Sequence, residues 1–179
     1  MAIESGDIVL RKSEDADKRP FYDLVTRDMT WKEYDGPYFP FTSPPYEKFI
    51  ESQFWKRLCE GTNARLIEYQ GKVVGIVTFY WESEATRWLE IGIVIYSPDD
   101  WSKGIGRKAL TPWITHLFDT KEIARVGLTT WSGNPRMIKC AQALGMRLEG
   151  TIRKVRYHNG VYYDSVKLGV LREEWNANR

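Results

Sequence analysis

Leu89-Glu90-Ile91-Gly92-Ile93-Val94-Ile95-Tyr96-Ser97-Pro98-Asp99-Asp100-Trp101-Ser102-Lys103-Gly104-Ile105-Gly106-Arg107-Lys108, continued by the apolar-patterned run Ala109 to Phe118, decides how this chain is read. An apolar strand ends at Ser97-Pro98, a loop carrying Gly104 and Gly106 follows, and a helical pattern begins. This order is suited to holding a phosphate. Glycines let the backbone approach a ligand with no Cβ in the way. The first turn of a helix presents amides without internal partners, and its dipole favours an anion. Lys103, Arg107 and Lys108 add positive charge in the same stretch. The pattern is not the G-x-x-x-x-G-K-[ST] loop, and Ala109 stands where the dinucleotide fingerprint would place its third glycine.

Outward from this stretch, the rest of the chain reads as one domain over residues 1–179, with hydrophobic content of 42% and charged content of 28%. A net charge of +2 is too mild to argue for nucleic acid, and no run of Lys or Arg exceeds two residues. Cys59 and Cys140 lie far apart, with no C-x-x-C, which fits a reducing, cytoplasmic setting. No metal-ligand spacing occurs. The N-terminus carries no signal-peptide pattern, and no apolar run approaches membrane-spanning length, so no membrane partner is expected.

Ile8 to Lys12 reads as a strand, with a helix near 17–28 after the acidic start Glu14-Asp15-Ala16-Asp17. Met29 to Thr42 is a long connection bearing Trp31, Tyr34, Tyr38, Phe39 and Phe41. Loops of this length inside a compact domain are usually functional or mobile. Tyr46, Ile50, Phe54 and Leu58 trace a second helix, to about Glu60. Ala64 to Tyr69 and Val73 to Tyr80 form a hairpin around Gln70-Gly71-Lys72, and Thr86 to Tyr96 continues the meander. A helix starts at Gly104. Pro112 either kinks it or restarts it with Thr111 as cap. Ile123 to Thr130 is a strand, Asn134-Pro135 opens a helix to Leu144, and Met146 to Tyr157 and Val161 to Leu171 pair around His158-Asn159-Gly160. The order β α α β β β α β α β β predicts an α+β, mixed α/β domain.

Ser102-Lys103-Gly104-Ile105-Gly106 resembles the acyl-CoA loop of the GCN5-related N-acetyltransferase superfamily, [QR]-x-x-G-x-[GA], with Trp101 in the first position. Trp101-Ser102-Lys103-Gly104 is similar to the W-G-K-G of the branch that contains the ribosomal-protein N-terminal acetyltransferases. Asn134 and Leu144-Gly145-Met146-Arg147-Leu148-Glu149-Gly150 resemble two further motifs of the superfamily. The resemblance implies a mostly antiparallel sheet with one splayed parallel pair, flanked by about four helices.

It also implies acetyl-CoA as co-substrate and a primary amine, on a protein N-terminus or a small molecule, as acceptor. The diphosphate is expected on Ser102, Lys103, Gly104, Ile105, Gly106, Arg107 and Lys108, and the pantetheine along Val94, Ile95 and Tyr96, with Asn134 nearby. An amide near Val94 would donate to the thioester oxygen. An ammonium must lose its proton before it attacks, and Glu90 is the candidate base, sharing a strand face with Gly92, Val94 and Tyr96. Trp31, Tyr34, Tyr38 and Phe39 are the expected acceptor wall, and this aromatic loop could also serve a homodimer. The superfamily's usual general-acid Tyr is replaced by Ala141, and the branch's Ser by Met137, which leaves Cys140, Tyr157 or water. These departures keep open a rival reading, a CoA-binding sensor or interaction module without turnover.

Overall fold

The computed structural model describes residues 1–178. One eight-stranded sheet runs through the molecule in the order β1-β2-β3-β4-β5-β6-β8-β7. The strands are β1 (Ile3–Ser5), β2 (Ile8–Arg11), β3 (Ala64–Tyr69), β4 (Lys72–Ser83), β5 (Trp88–Ile95), β6 (Arg125–Trp131), β7 (Arg147–His158) and β8 (Val161–Leu171). The helices are α1 (Lys18–Arg27), α2 (Tyr46–Glu51), α3 (Gln53–Glu60), α4 (Ile105–Thr120), α5 (Pro135–Ala143) and α6 (Arg172–Ala177). No helix among the described residues is long and apolar enough to cross a membrane.

Every neighbouring strand pair is antiparallel except β5 with β6. That parallel pair is joined at Leu89↔Val126 and Glu90↔Gly127 alone. Beyond it β5 runs on to Ile95 and β6 to Trp131 with no pairing between them. The sheet therefore opens as a wedge at its centre.

Each face of the sheet has its own core. On one, Leu89 and Ile91 of β5 and Val126 and Leu128 of β6 meet Ile105, Ala109, Trp113, Ile114 and Leu117 of α4. On the other, Leu66, Ile76 and Tyr96 meet Phe21, Phe49, Trp55 and Leu58 from the first three helices. Period-two alternation thus sends Glu90, Gly92, Val94 and Tyr96 to the side away from α4.

The structure departs from the sequence reading at one helix, two short elements and one strand end, and it settles the alternative left open at Pro112. The helix expected over 46–60 is two helices. Ser52 is extended, its hydroxyl donates to the Phe49 carbonyl at 2.6 Å, and it accepts from the Trp55 amide at 3.1 Å. A serine that bonds the backbone on both sides stops one helix and caps the next. The break shifts the phase, so Phe49 rather than Ile50 is buried. Pro112 lies inside one continuous α4 and starts no new segment; the buried α4 face and the Trp113 indole, which donates to the Thr78 carbonyl at 3.1 Å, hold the helix across it. The short β1 and the C-terminal α6 carry too little periodicity to be read from sequence. Strand β4 extends to Ser83, past its expected end at Tyr80.

Candidate active site

The wedge is the floor of a cleft of about 850 Å³. Its walls come from β4, from the diverging halves of β5 and β6, from the loop before α4, from α5 and from the aromatic connection after α1. A larger depression of about 1190 Å³, between the start of β5 and the end of α4, has neither the splayed strands nor the glycine loop.

At the end of the cleft formed by the loop before α4, Ser102 and Gly104 both hold left-handed backbone, with φ of 61° and 75°. That pair of reversals swings the chain from strand into helix so that successive amides turn outward. Among the described residues, the amides of Ser102 to Arg107 donate to no protein acceptor, while the Lys108 amide closes the first helical turn on the Gly104 carbonyl at 3.0 Å. The Trp101 indole pins the loop to β5 by donating to the Ile95 carbonyl at 2.8 Å. Trp101 thereby anchors the loop from the position where the resembled pattern has Gln or Arg.

The three expected cations diverge. Arg107 lines the cleft. Lys103 pairs with the buried Asp100 at 3.2 Å, and Lys108 turns away to Asp7 at 2.8 Å. Positive charge comes instead from α5, whose Arg136 and Lys139 line the cleft one helical turn apart. Arg136 lies over the Trp101 ring at 3.9 Å and the Tyr34 ring at 4.5 Å. The sequence carried a signal for both, two cations spaced i, i+3 just after Asn134-Pro135.

On β5, Tyr96 donates its amide to the Val74 carbonyl at 3.1 Å. Pairing alternates along an antiparallel ladder, and Val94 stands opposite Ile76 two residues back, so its amide also faces β4. The amides near Val94 that face the wedge are those of Ile93 and Ile95. Tyr96 itself is buried against Phe21 and Trp31.

Glu90 is 0% exposed. Its Oε2 accepts from the Thr129 hydroxyl at 2.6 Å and the Tyr80 hydroxyl at 3.0 Å. Lys167 donates to Thr129 Oγ1 at 3.0 Å and stands 3.9 Å from Oε1, which has no hydrogen-bond partner among the described residues. Tyr80 and Thr129 line the cleft, so the carboxylate sits behind two hydroxyls. Burial and the neighbouring Glu90 charge hold the Tyr80 phenol well above its usual range, as a proton donor.

The aromatic connection straps the cleft. Its Tyr34 ring meets Trp101 and its Tyr38 ring meets Trp131, with centroids 5.4 and 5.5 Å apart. The Tyr34 carbonyl accepts from the Trp131 indole at 2.8 Å and from Asn134 Nδ2 at 3.4 Å. Asn134 also caps α5, its Oδ1 accepting from the Met137 amide at 3.1 Å. Both ends of that side chain therefore hold protein. Trp31 is buried and donates to the Val25 carbonyl at 2.9 Å, forming the strap's root, while Phe39 is 59% exposed at the mouth. Asp35 reaches the same cleft, and desolvation pushes its carboxyl up against the opposing effect of Lys32.

Cys140 lines the cleft, and burial pushes its thiol up, so it stays protonated at neutral pH. Tyr157 is 58% exposed and pairs with Tyr162 outside the cleft.

The family model described as an acetyltransferase (GNAT) domain matches residues 7–147. The SPbeta prophage-derived uncharacterized N-acetyltransferase YokL of Bacillus subtilis (strain 168) is 24% identical over 177 residues, which cover 99% of this chain and 91% of that protein. Among solved structures, the ribosomal L7/L12 α-N-protein acetyltransferase RimL in complex with coenzyme A superposes with a TM-score of 0.76 at 20% identity, covering 96% of this chain and 98% of RimL. The spermidine N-acetyltransferase of Vibrio cholerae, in complex with CoA and spermine, superposes with a TM-score of 0.76 at 18% identity, covering 96% of this chain and 99% of that one. With the splayed parallel pair, the outward amides and a family match across most of its length, the chain belongs to the GNAT acetyltransferases, enzymes of the acyl-CoA N-acyltransferase type.

Proposed function

We propose that this chain moves an acetyl group from acetyl-CoA to a primary amine by direct attack on the thioester. The observation that carries the reading is the parallel pair that stops at Glu90 and Gly127 below a row of unpaired amides.

The donor set fits an acyl-CoA. Amides of Ser102 to Arg107, with Arg107 and Arg136, suit a diphosphate, each charge-assisted bond being worth about 1.5–3 kcal/mol. The unpaired edge of β5 suits the two amides of the pantetheine arm, which would add to the sheet as a short strand. The bound thioester supplies an activated acyl carbon, and the Ile93 or Ile95 amide is oriented to donate to its oxygen.

Glu90 is the base and works through a hydroxyl. Thr129 passes its proton to Glu90 Oε2 while taking one from the acceptor ammonium, so Thr129 ends neutral and Glu90 protonated. Tyr80 holds the same oxygen, and Lys167 supports both partners from behind. The freed amine forms the new C–N bond, and as the C–S bond breaks the nitrogen gives up its second proton, which reaches the leaving sulfur by relay through the Cys140 thiol or water, so that the relay group ends as it began. Tyr34, Tyr38 and Phe39 enclose the acceptor, with Trp31 beneath them.

Two relatives are named for a ribosomal-protein N-terminus and for spermidine, so the acceptor panel should span peptides and small amines. The test is purified protein with acetyl-CoA and that panel, following thiol release and acetylated product by mass. Release that depends on one class of amine is expected. Tight CoA binding with no release for any amine would overturn the proposal.

A further inference from the structure

Arg156 on β7 lines the cleft, and among the described residues it takes part in no ion pair. Its Nη1 donates to the Val155 carbonyl at 3.3 Å, and its Nε is buried with no partner. The ion pairs on the neighbouring strands are formed by other residues, Arg125 with Glu149 and Lys167 with Glu90. A guanidinium has five donors in a planar fork, and leaving a buried one unsatisfied is costly.

The backbone puts Arg156 there by an irregular route. Pairing of β7 with β8 slips between Ile152 and Arg156, and Lys154 within that slip is left-handed, with φ of 57°. Bulges of this kind re-aim side chains beside active sites, and a non-glycine residue in that conformation carries strain. The Lys154 amide is held to Asp164 Oδ1 at 2.9 Å, which fixes the slip. The guanidinium then lies over the Tyr38 ring at 4.9 Å and the Phe39 ring at 5.7 Å.

Its position separates it from the phosphate end. The strap meets Trp101 through Tyr34 and meets Trp131 through Tyr38, and Arg156 stands on the Tyr38 side. Arg107 lies at the glycine loop itself, and Arg136 lies over the ring of Trp101 beside it. Asp35, the cleft's acidic group on the strap, has Lys32 as its opposing charge.

We propose that Arg156 binds a carboxylate or phosphate on the acceptor. The preferred acceptor is then a primary amine with an anionic group close to its nitrogen, and not a polycation. This rests on the reading above that the aromatic strap faces the acceptor.

The test uses matched pairs. Peptides beginning Ser-Asp and Ser-Asn form one pair, 4-aminobutyrate and 4-aminobutanamide the other, and spermidine is the polycation. Two quantities are measured: kcat/KM with acetyl-CoA, and Kd by calorimetry on protein saturated with CoA. The acid member should exceed its amide by about tenfold or more in at least one pair. The pair that shows it identifies the source as peptide or small molecule. In Arg156→Gln that ratio should collapse to below about twofold, and Arg156→Lys should retain part of it. Equal acid and amide values in both pairs, spermidine as best acceptor, or an unchanged ratio in Arg156→Gln would overturn the proposal. If no amine is acetylated, the transfer reading falls, and the ratio of Kd values still decides the role of Arg156.

Discussion

Glu90→Gln changes one atom in the buried carboxyl group behind the cleft's Tyr80 and Thr129 hydroxyls, and the structure sets what should follow. The side chain keeps its shape, so the packing of a 0% exposed residue is undisturbed. Its two hydrogen bonds, from Thr129 at 2.6 Å and Tyr80 at 3.0 Å, change from charge-assisted to neutral. Each falls from about 1.5–3 to about 0.5–1.5 kcal/mol, a combined loss of roughly 2–3 kcal/mol. Removing a buried carboxylate relieves a desolvation cost of several kcal/mol, although Lys167 then loses its counter-charge at 3.9 Å. The opposing effects nearly cancel, and stability should move by no more than about 2 kcal/mol. Catalysis has no such compensation, because an amide cannot take the proton, and kcat/KM should fall by about 10²–10⁴. Urea denaturation gives the first quantity and thiol-release kinetics the second, with acetyl-CoA affinity as a control. A Glu90→Gln protein that folds normally, binds acetyl-CoA and keeps kcat/KM within threefold would refute the assignment of Glu90 as base.

Other perturbations separate the site from its scaffold. Thr129→Val removes the hydroxyl between cleft and carboxylate, and kcat/KM should drop about 10–100-fold with acetyl-CoA affinity held, by kinetics and calorimetry. Gly104→Ala meets no neighbour within 4 Å but strains a φ of 75°, so it should raise the Kd for acetyl-CoA about tenfold while stability falls by about 1–2 kcal/mol. Gly61→Ala puts a Cβ 2.8 Å from Lys12 Cβ at a left-handed cap, and should cost about 1–3 kcal/mol in urea without altering the acetyl-CoA Kd of the folded protein. His116 is held below its ordinary 6.5 by burial, then by Arg65 and Lys121, against Asp119. The unfolded chain therefore takes up this proton at higher pH than the folded one. The associated stability is complete above about pH 6.5 and is lost as pH falls through the lower folded value. His116→Gln should flatten that part of the stability–pH curve, measured in urea at pH 5 and 7.5.

Much of the fold was legible because its signals are local. Gln70-Gly71 and Asn159-Gly160 form the expected hairpin turns, with φ of 50° and 79°, and 48° and 78°. The apolar face of α4 followed from its spacing, through Ile105, Ala109, Trp113, Ile114 and Leu117. Positions of charged tips were not legible. Lys103, Arg107 and Lys108 sit within one stretch of sequence, yet only Arg107 lines the cleft, because Asp100 and Asp7 capture the other two. Asp7 is remote from Lys108 in sequence and reaches it only after β2 is packed beside α4.

By itself the sequence determined that a strand, a glycine-bearing turn and a helix start follow one another at residues 89–118, since each depends on near-neighbour backbone sterics and periodicity. It also determined the mixed α+β class and the strand face that Glu90 occupies. Tertiary structure alone decided that the parallel pair ends at Glu90 and Gly127, that Glu90 lies behind Thr129 and Tyr80, and that a slip in β7 turns Arg156 into the cleft. Those outcomes depend on contacts between residues far apart in the chain, where register, burial and charge pairing exist only once the sheet has closed around them.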